Sequence, residues 1–208
     1  MSFFNQFQLK EFQISIVEQT SFDPVSIALF PGELQYYNTL HHIKRRNEFL
    51  GVRHLRNTLK IKRPILYLKS GKPYLEGSDS HISISHCHGW ISLAAAPYPI
   101  GIDIEAEGRN ALKIINRFAN EDEKKLCFDA LQNWALELWC AKEAVYKLYD
   151  FYGLSFKEEI QIQSKEKSQE LIVLKGSIKR AHENPKFEVR LSKQNEVLLA
   201  IAFFRVEP

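Results

Sequence analysis

The chain has 208 residues, a formal net charge of +3, and 45% hydrophobic and 25% charged residues. That length holds one ordinary domain or two small closely packed ones, the balance excludes extensive disorder, and so mild a charge signals nucleic acid only where it clusters. The cysteines Cys87, Cys127 and Cys140 form no CxxC pair and are odd in number, which argues against a disulfide framework or a structural zinc site and fits a reducing cytoplasm.

Residues 1–6 lack the positive start and apolar run of a secretory signal. A helix is expected over residues 34–59. Its apolar positions Ile43, Phe49, Leu50, Val52, Leu55 and Leu59 include helical spacings and leave Lys44, Arg45, Arg46, Arg53 and Arg56 on a more exposed side, a solvated face able to meet an anion. Gly71-Lys72-Pro73 reads as a turn. Residues 81–85 and 100–105 alternate and 90–96 are almost wholly apolar, so three strands are expected, separated by turns at Gly89 and Pro97 to Pro99 as in a meander. The most apolar stretch, 91–104, is broken by Pro97, Pro99 and Gly101 and carries Asp103, which excludes a membrane span there. Helical texture returns over 112–118, 121–128 and 134–149. The tail carries three expected strands, 161–163, 187–191 and 197–204, with a Lys- and Glu-rich excursion between them. The fold class expected is α+β.

Several segments could carry chemistry. In Gly101-Ile102-Asp103-Ile104-Glu105, residues two apart share a face, so Asp103 and Glu105 stand side by side with Cα atoms about 6.5 Å apart. That pair suits a hard cation with oxygen ligands, and equally a half-exposed strand with solvated acids. On the helix after Trp134, the residues Trp134, Leu138, Ala141, Val145 and Leu148 form a buried stripe. Glu143 lies one turn beyond Trp139 near its edge, and Glu143 and Lys147 form an i,i+4 pair. Ser85-His86-Cys87-His88 lacks a third ligand for a metal site. Asn120 and Glu123 have the spacing of a capping box. No Walker loop or dinucleotide glycine fingerprint is present.

Taken in order, Gly71-Lys72-Pro73, Ile84-Ser85-His86, Gly101-Ile102-Asp103-Ile104-Glu105, Arg117-Phe118 and Trp139-Cys140-Ala141-Lys142-Glu143-Ala144-Val145-Tyr146-Lys147 resemble the phosphopantetheinyl transferases of the surfactin-synthetase-activating type, over about residues 40–150. The resemblance implies two similar α+β halves, residues 1–98 and 99–208, forming an intramolecular pseudo-dimer with coenzyme A in the cleft between them. It implies transfer of 4'-phosphopantetheine from coenzyme A to a serine of an apo acyl or peptidyl carrier protein, in a cytoplasmic monomer needing neither membrane nor nucleic acid. By the same resemblance Mg2+ is held by Asp103, Glu105 and Glu123, with Glu121 or Asp122 as alternatives for the third ligand. Glu143 is the general base, and Lys147 with Lys142 supports the phosphates. Arg45, Arg46, Lys72, Pro73, Ser85 and His86 hold the rest of coenzyme A. Two departures from the pattern stand out: Cys87 after Ser85-His86, and Ala106-Glu107-Gly108-Arg109 after Glu105 where a basic continuation is more usual. A module of the same fold that binds coenzyme A without transferring from it is the alternative reading.

Overall fold

The computed structural model describes residues 4–9, 12–149, 153–169, 171–180 and 184–205; the first three residues of the N-terminal stretch discussed above lie outside them. The chain divides into two compact units, Met1–Tyr98 and Pro99–Pro208.

In the first unit, β1 (Phe4–Leu9), β2 (Phe12–Glu18), β5 (His81–Cys87) and β6 (Trp90–Ala96) form an antiparallel sheet of order β1-β2-β6-β5. A small antiparallel pair, β3 (Ile65–Tyr67) and β4 (Pro73–Leu75), follows the helices. The helix expected over 34–59 is two helices, α1 (Pro31–Thr39) and α2 (Ile43–Thr58). Leu40 and His42 are both extended (ψ 116° and 122°), a break that apolar spacing cannot register. α1 begins earlier than its pattern because Pro31 suits the first helical turn and Glu33 Oε2 accepts the Phe30 N–H at 3.1 Å. Val52 and Leu55 of α2 and its C-cap Leu59 pack with Val17, Ile82, Ile91 and Leu93 of the sheet, and Tyr37 packs with Phe49 and Leu50.

The expectation that Arg53 and Arg56 lie on an exposed face is corrected by the structure: both are buried around Glu33. Arg53 Nε donates to Glu33 Oε1 at 3.2 Å and its Nη2 to the Ile65 carbonyl at 3.1 Å, with the guanidinium 3.8 Å from the Phe49 ring centre. Arg56 donates to Glu33 Oε2 and to the Ala28 carbonyl. Burial alone would push Glu33 up, but the Phe30 N–H and the two guanidinium groups hold it below the usual carboxylate range. Two arginines are kept inside because every guanidinium nitrogen finds an acceptor.

In the second unit, β7 (Ile100–Ala106), β8 (Ile160–Lys167), β9 (Ile172–Ile178), β10 (Lys186–Gln194) and β11 (Val197–Phe204) form an antiparallel sheet of order β7-β11-β10-β9-β8. The meander expected from β5 through β7 therefore ends at β6: β7 pairs with β11, Asp103 opposite Ala200 and Glu105 opposite Leu198. Among the described residues the tail holds four strands rather than three, β9 lying within the stretch whose charges hid it. A 3-10 turn (Ala111–Ile114) leads into α3 (Ile115–Phe118), α4 (Glu121–Lys125) and the long α5 (Leu131–Tyr149). Trp134, Leu138, Ala141, Val145 and Leu148, the expected stripe, are all within 2% of full burial and share one core with Val189, Leu191, Ala200 and Ala202. Among the described residues no helix is long and apolar enough to cross a membrane.

Candidate functional site

The strand alternation of β7 puts Gly101, Asp103 and Glu105 on one face, and that face lies under α5 rather than in solvent. Gly101 makes the approach possible, since a Cβ there would collide with the Ala144 carbonyl oxygen and the Leu148 amide nitrogen of the helix. Asp103 and Glu105 are each only 5% exposed, so the solvated-acid reading of the pentapeptide is overturned. Four residues of helix advance about 6 Å and two residues of strand about 6.6 Å, so side chains at these two intervals stay in step. Trp139, Glu143 and Lys147 are spaced four apart on α5. Trp139 Nε1 donates to Glu105 Oε1 at 2.7 Å, Lys147 Nζ donates to Asp103 Oδ1 at 2.7 Å, and Glu143 sits between these partners along the helix.

The face carries an excess of negative charge: the carboxylates of Asp103, Glu105 and Glu143 against the cations Lys147 and Arg109. Burial, reinforced by the charge of Asp103, pushes Glu143 up to about 7 despite the nearby ammonium of Lys147. Burial also raises Glu105, against the hydrogen bond from Arg109 and with further upward pressure from Asp103. Arg109, part of the departure from the family pattern after Glu105, ion-pairs with Glu105 and stacks 4.9 Å from the Trp139 ring centre. The turn before it, with Gly108 at φ +87°, folds the chain back onto the strand end. Glycine followed by arginine just beyond a strand is the only signal the letters offered.

Among the described residues no three His, Cys, Asp or Glu side chains are grouped to hold a metal ion by themselves. Asp103 and Glu105 are all-oxygen donors on one face, the set that magnesium uses when its remaining ligands are water and substrate phosphate, so these residues fit that ion. Glu123 does not join them. It is fully buried, where it closes the capping box with Asn120 (2.9 Å in both directions), accepts the Ile162 N–H at 2.9 Å and ion-pairs with Lys142 at 2.7 Å. Its two oxygens are thereby saturated, and the expectation of a third metal ligand at this position is replaced by a structural role. Glu121 and Asp122, the alternatives, are exposed and pair with Lys124 and Lys125.

Lys142 is likewise corrected from a phosphate-facing residue to an internal one. It is 0% exposed, and its Nζ donates to the carbonyls of Phe118 (2.8 Å), Phe156 (2.6 Å) and Ile160 (2.8 Å) as well as to Glu123. Burial outweighs the Glu123 charge and pulls it down to about 8. The segments it ties down place Phe118 (5.1 Å between ring centres) and Phe156 (5.7 Å) against Trp139, which fixes the indole that serves Glu105.

In the first unit a cavity of about 450 Å³ is lined by His42, Lys44, Arg45, Glu48 and His86. It adjoins the start of α2, whose N-cap His42 makes no side-chain cap, so the first-turn N–H groups and the positive helix end are available to an anion. Arg45 reaches Glu48 at 3.1 Å and remains 70% exposed. Of the other expected coenzyme A residues, Arg46 turns away, stacking 4.2 Å from the Tyr37 ring centre and donating to the Leu40 carbonyl. Ser85 is buried in β5, its carbonyl accepting the Ser92 hydroxyl at 3.2 Å, and Lys72 and Pro73 belong to the turn and strand of the β3–β4 pair; none of these lines the cavity. Lys44 was legible only as part of the basic face able to meet an anion, and nothing in the sequence pattern singles out His42 or Glu48.

The family model of the 4'-phosphopantetheinyl transferase superfamily matches residues 99–202, which include Asp103, Glu105, Glu143 and Lys147. The chain is 36% identical over 89 residues to the 4'-phosphopantetheinyl transferase gsp of Aneurinibacillus migulanus, covering 40% of this chain and 37% of that protein. It is 35% identical over 82 residues to the 4'-phosphopantetheinyl transferase of Bacillus subtilis, covering 37% of each. The matched stretch thus spans little more than a third of the length of either relative. With the family model covering the whole of the buried carboxylate face, the chain belongs to the 4'-phosphopantetheinyl transferase superfamily.

Proposed function

We propose that this chain moves the 4'-phosphopantetheine arm of coenzyme A onto a serine of an apo acyl or peptidyl carrier protein, releasing adenosine 3',5'-bisphosphate, as a cytoplasmic monomer built from two α+β halves related as a pseudo-dimer. The observation that carries the reading is the convergence of Asp103, Glu105, Glu143 and Lys147 on one buried face under α5. A Mg2+ ion held there by Asp103 and Glu105 supplies charge neutralisation for a pyrophosphate. Glu143, held near neutrality by burial, accepts the proton of the carrier serine hydroxyl. The seryl oxygen forms its bond to the β-phosphorus while the bond from that phosphorus to the bridging oxygen breaks, and the bisphosphate leaves with the electron pair. Lys147 offsets the charge that develops on the phosphate oxygens. The cavity lined by His42, Lys44, Arg45 and His86 receives the phosphorylated adenosine end, an assignment supported by its cationic lining and the uncapped start of α2.

Intact-mass spectrometry of apo carrier proteins incubated with this protein, coenzyme A and Mg2+ tests the reading. One phosphopantetheine unit is expected to be added, and the gain is expected to vanish with Glu143→Gln or a chelator. No gain across acyl and peptidyl carriers, with coenzyme A still bound, would reduce the chain to a binding module.

A further inference from the structure

Arg109 closes the turn that follows β7, its N–H bonded to the Ala106 carbonyl. Its turn is anchored at the base, by the Glu107 N–H on the Glu196 carbonyl at 2.9 Å and the Glu107–Lys193 ion pair at 2.7 Å, while Arg109 itself is 42% exposed along its side chain. The guanidinium folds back to ion-pair with Glu105 and lies over the Trp139 indole. We propose that Arg109 is an exchangeable counter-ion of Glu105, which offsets part of the charge of the carboxylate face and gives up its place on Glu105 when a divalent cation binds. This rests on the reading of Asp103 and Glu105 as the cation ligands.

Glu105 Oε1 accepts two donors, Arg109 Nη1 and Trp139 Nε1. The indole is fixed between Phe118 and Phe156 and is neutral, so it can stay. The guanidinium is a cation occupying the lone-pair region that a magnesium ion needs at about 2.1 Å, and two cations sharing one oxygen repel. An ion pair this exposed is weak, and its stem springs from a turn pivoting on Gly108, so leaving is cheap. Lys147 is the contrasting case: it is carried by a helix, is less exposed at 29%, and sits on Asp103 beside Glu143. Arg109 therefore keeps three crowded carboxylates tolerable without metal and lowers the affinity for metal in return.

Calorimetric titration of the purified chain with Mg2+, and separately Mn2+, in the absence of coenzyme A and carrier, reads this directly. Arg109→Gln is expected to bind either ion roughly three- to tenfold more tightly than the parent, and Glu105→Gln to bind it more weakly. Metal is also expected to change the Trp139 fluorescence of the parent as the guanidinium leaves the indole, a change missing in Arg109→Gln and in Trp139→Phe. Equal or weaker metal binding by Arg109→Gln, or no binding by either protein, overturns the proposal. Carrier modification is scored separately: transfer with unaltered metal affinity in Arg109→Gln sinks the counter-ion role alone. Tightened metal binding without transfer to any carrier sinks the enzymatic reading and leaves the counter-ion role standing.

Discussion

Replacing Lys142 with methionine should nearly unfold the second unit. The substitution keeps most of the aliphatic stem but strips donors from the carbonyls of Phe118, Phe156 and Ile160 and leaves Glu123, 0% exposed, without its cation. Each lost hydrogen bond costs about 1 kcal/mol, and breaking one side of a buried pair costs about 3–5 kcal/mol in all. That is a large share of the roughly 5–15 kcal/mol that holds a domain together. Glu123→Gln in the same background should give part of it back, with a coupling energy of about 1–3 kcal/mol, because the amide can still accept the Ile162 N–H while no longer burying a charge. Urea unfolding followed by tryptophan fluorescence is the assay, since Trp134 Nε1 donates to the Glu123 carbonyl at 2.8 Å and reports this corner of the fold. A cost below about 1 kcal/mol for Lys142→Met, with the loss confined to coenzyme A affinity, would show that the ammonium serves phosphate and that its internal partners are incidental.

Other outcomes follow from the same geometry. Burial and Asp103 raise Glu143 from 4.5 to about 7, so the folded metal-free chain holds that proton more tightly than the unfolded chain and loses stability as pH rises through this window. Glu143→Gln should therefore be more stable to urea than the parent at about pH 8, by about 1–3 kcal/mol once partial solvent access is allowed for, and the gap should close by about pH 4. Adding a methyl group at Gly101 drives it into the Ala144 carbonyl and the Leu148 amide, so Gly101→Ala should cost about 1–3 kcal/mol or more in denaturant unfolding and misplace α5 over Asp103. Arg45→Ala and His86→Ala should each weaken calorimetric binding of adenosine 3',5'-bisphosphate by about tenfold, with far less effect on a nucleoside lacking phosphates.

What could be read from the letters was what repeats over short distances. The alternation in β5 and β7, the apolar run of β6 and the stripe of α5 all rest on periods of two or about four residues, and each element appears within three residues of where it was expected. The partner of β7 could not be read that way, because β11 lies at the far end of the chain and nothing in Ile100–Ala106 says which edge it will join. Arg53 and Arg56 were misplaced because hydropathy assigns charged residues to the surface, whereas both are buried around Glu33, which is distant in sequence; Glu123 and Lys142, expected at the metal and the phosphates from the resemblance, are instead buried against each other. The Asp103 and Glu105 pairing was legible as two acids on one face. That α5 roofs that face is a tertiary fact, with only Gly101 as its trace.

The helix α2 is partitioned along its length. In its opening turn Lys44 and Arg45 face the cavity, whereas Arg53 and Arg56 nine and twelve residues after Lys44 are bolted to Glu33 and to the β3 backbone. Selection can thus retune one end for a different anion without endangering the architecture, while the other end is closed to such experiment. A survey of tolerated substitutions along this single helix should show a permissive stretch giving way to an intolerant one near Phe49, where ligand chemistry ends and scaffold begins.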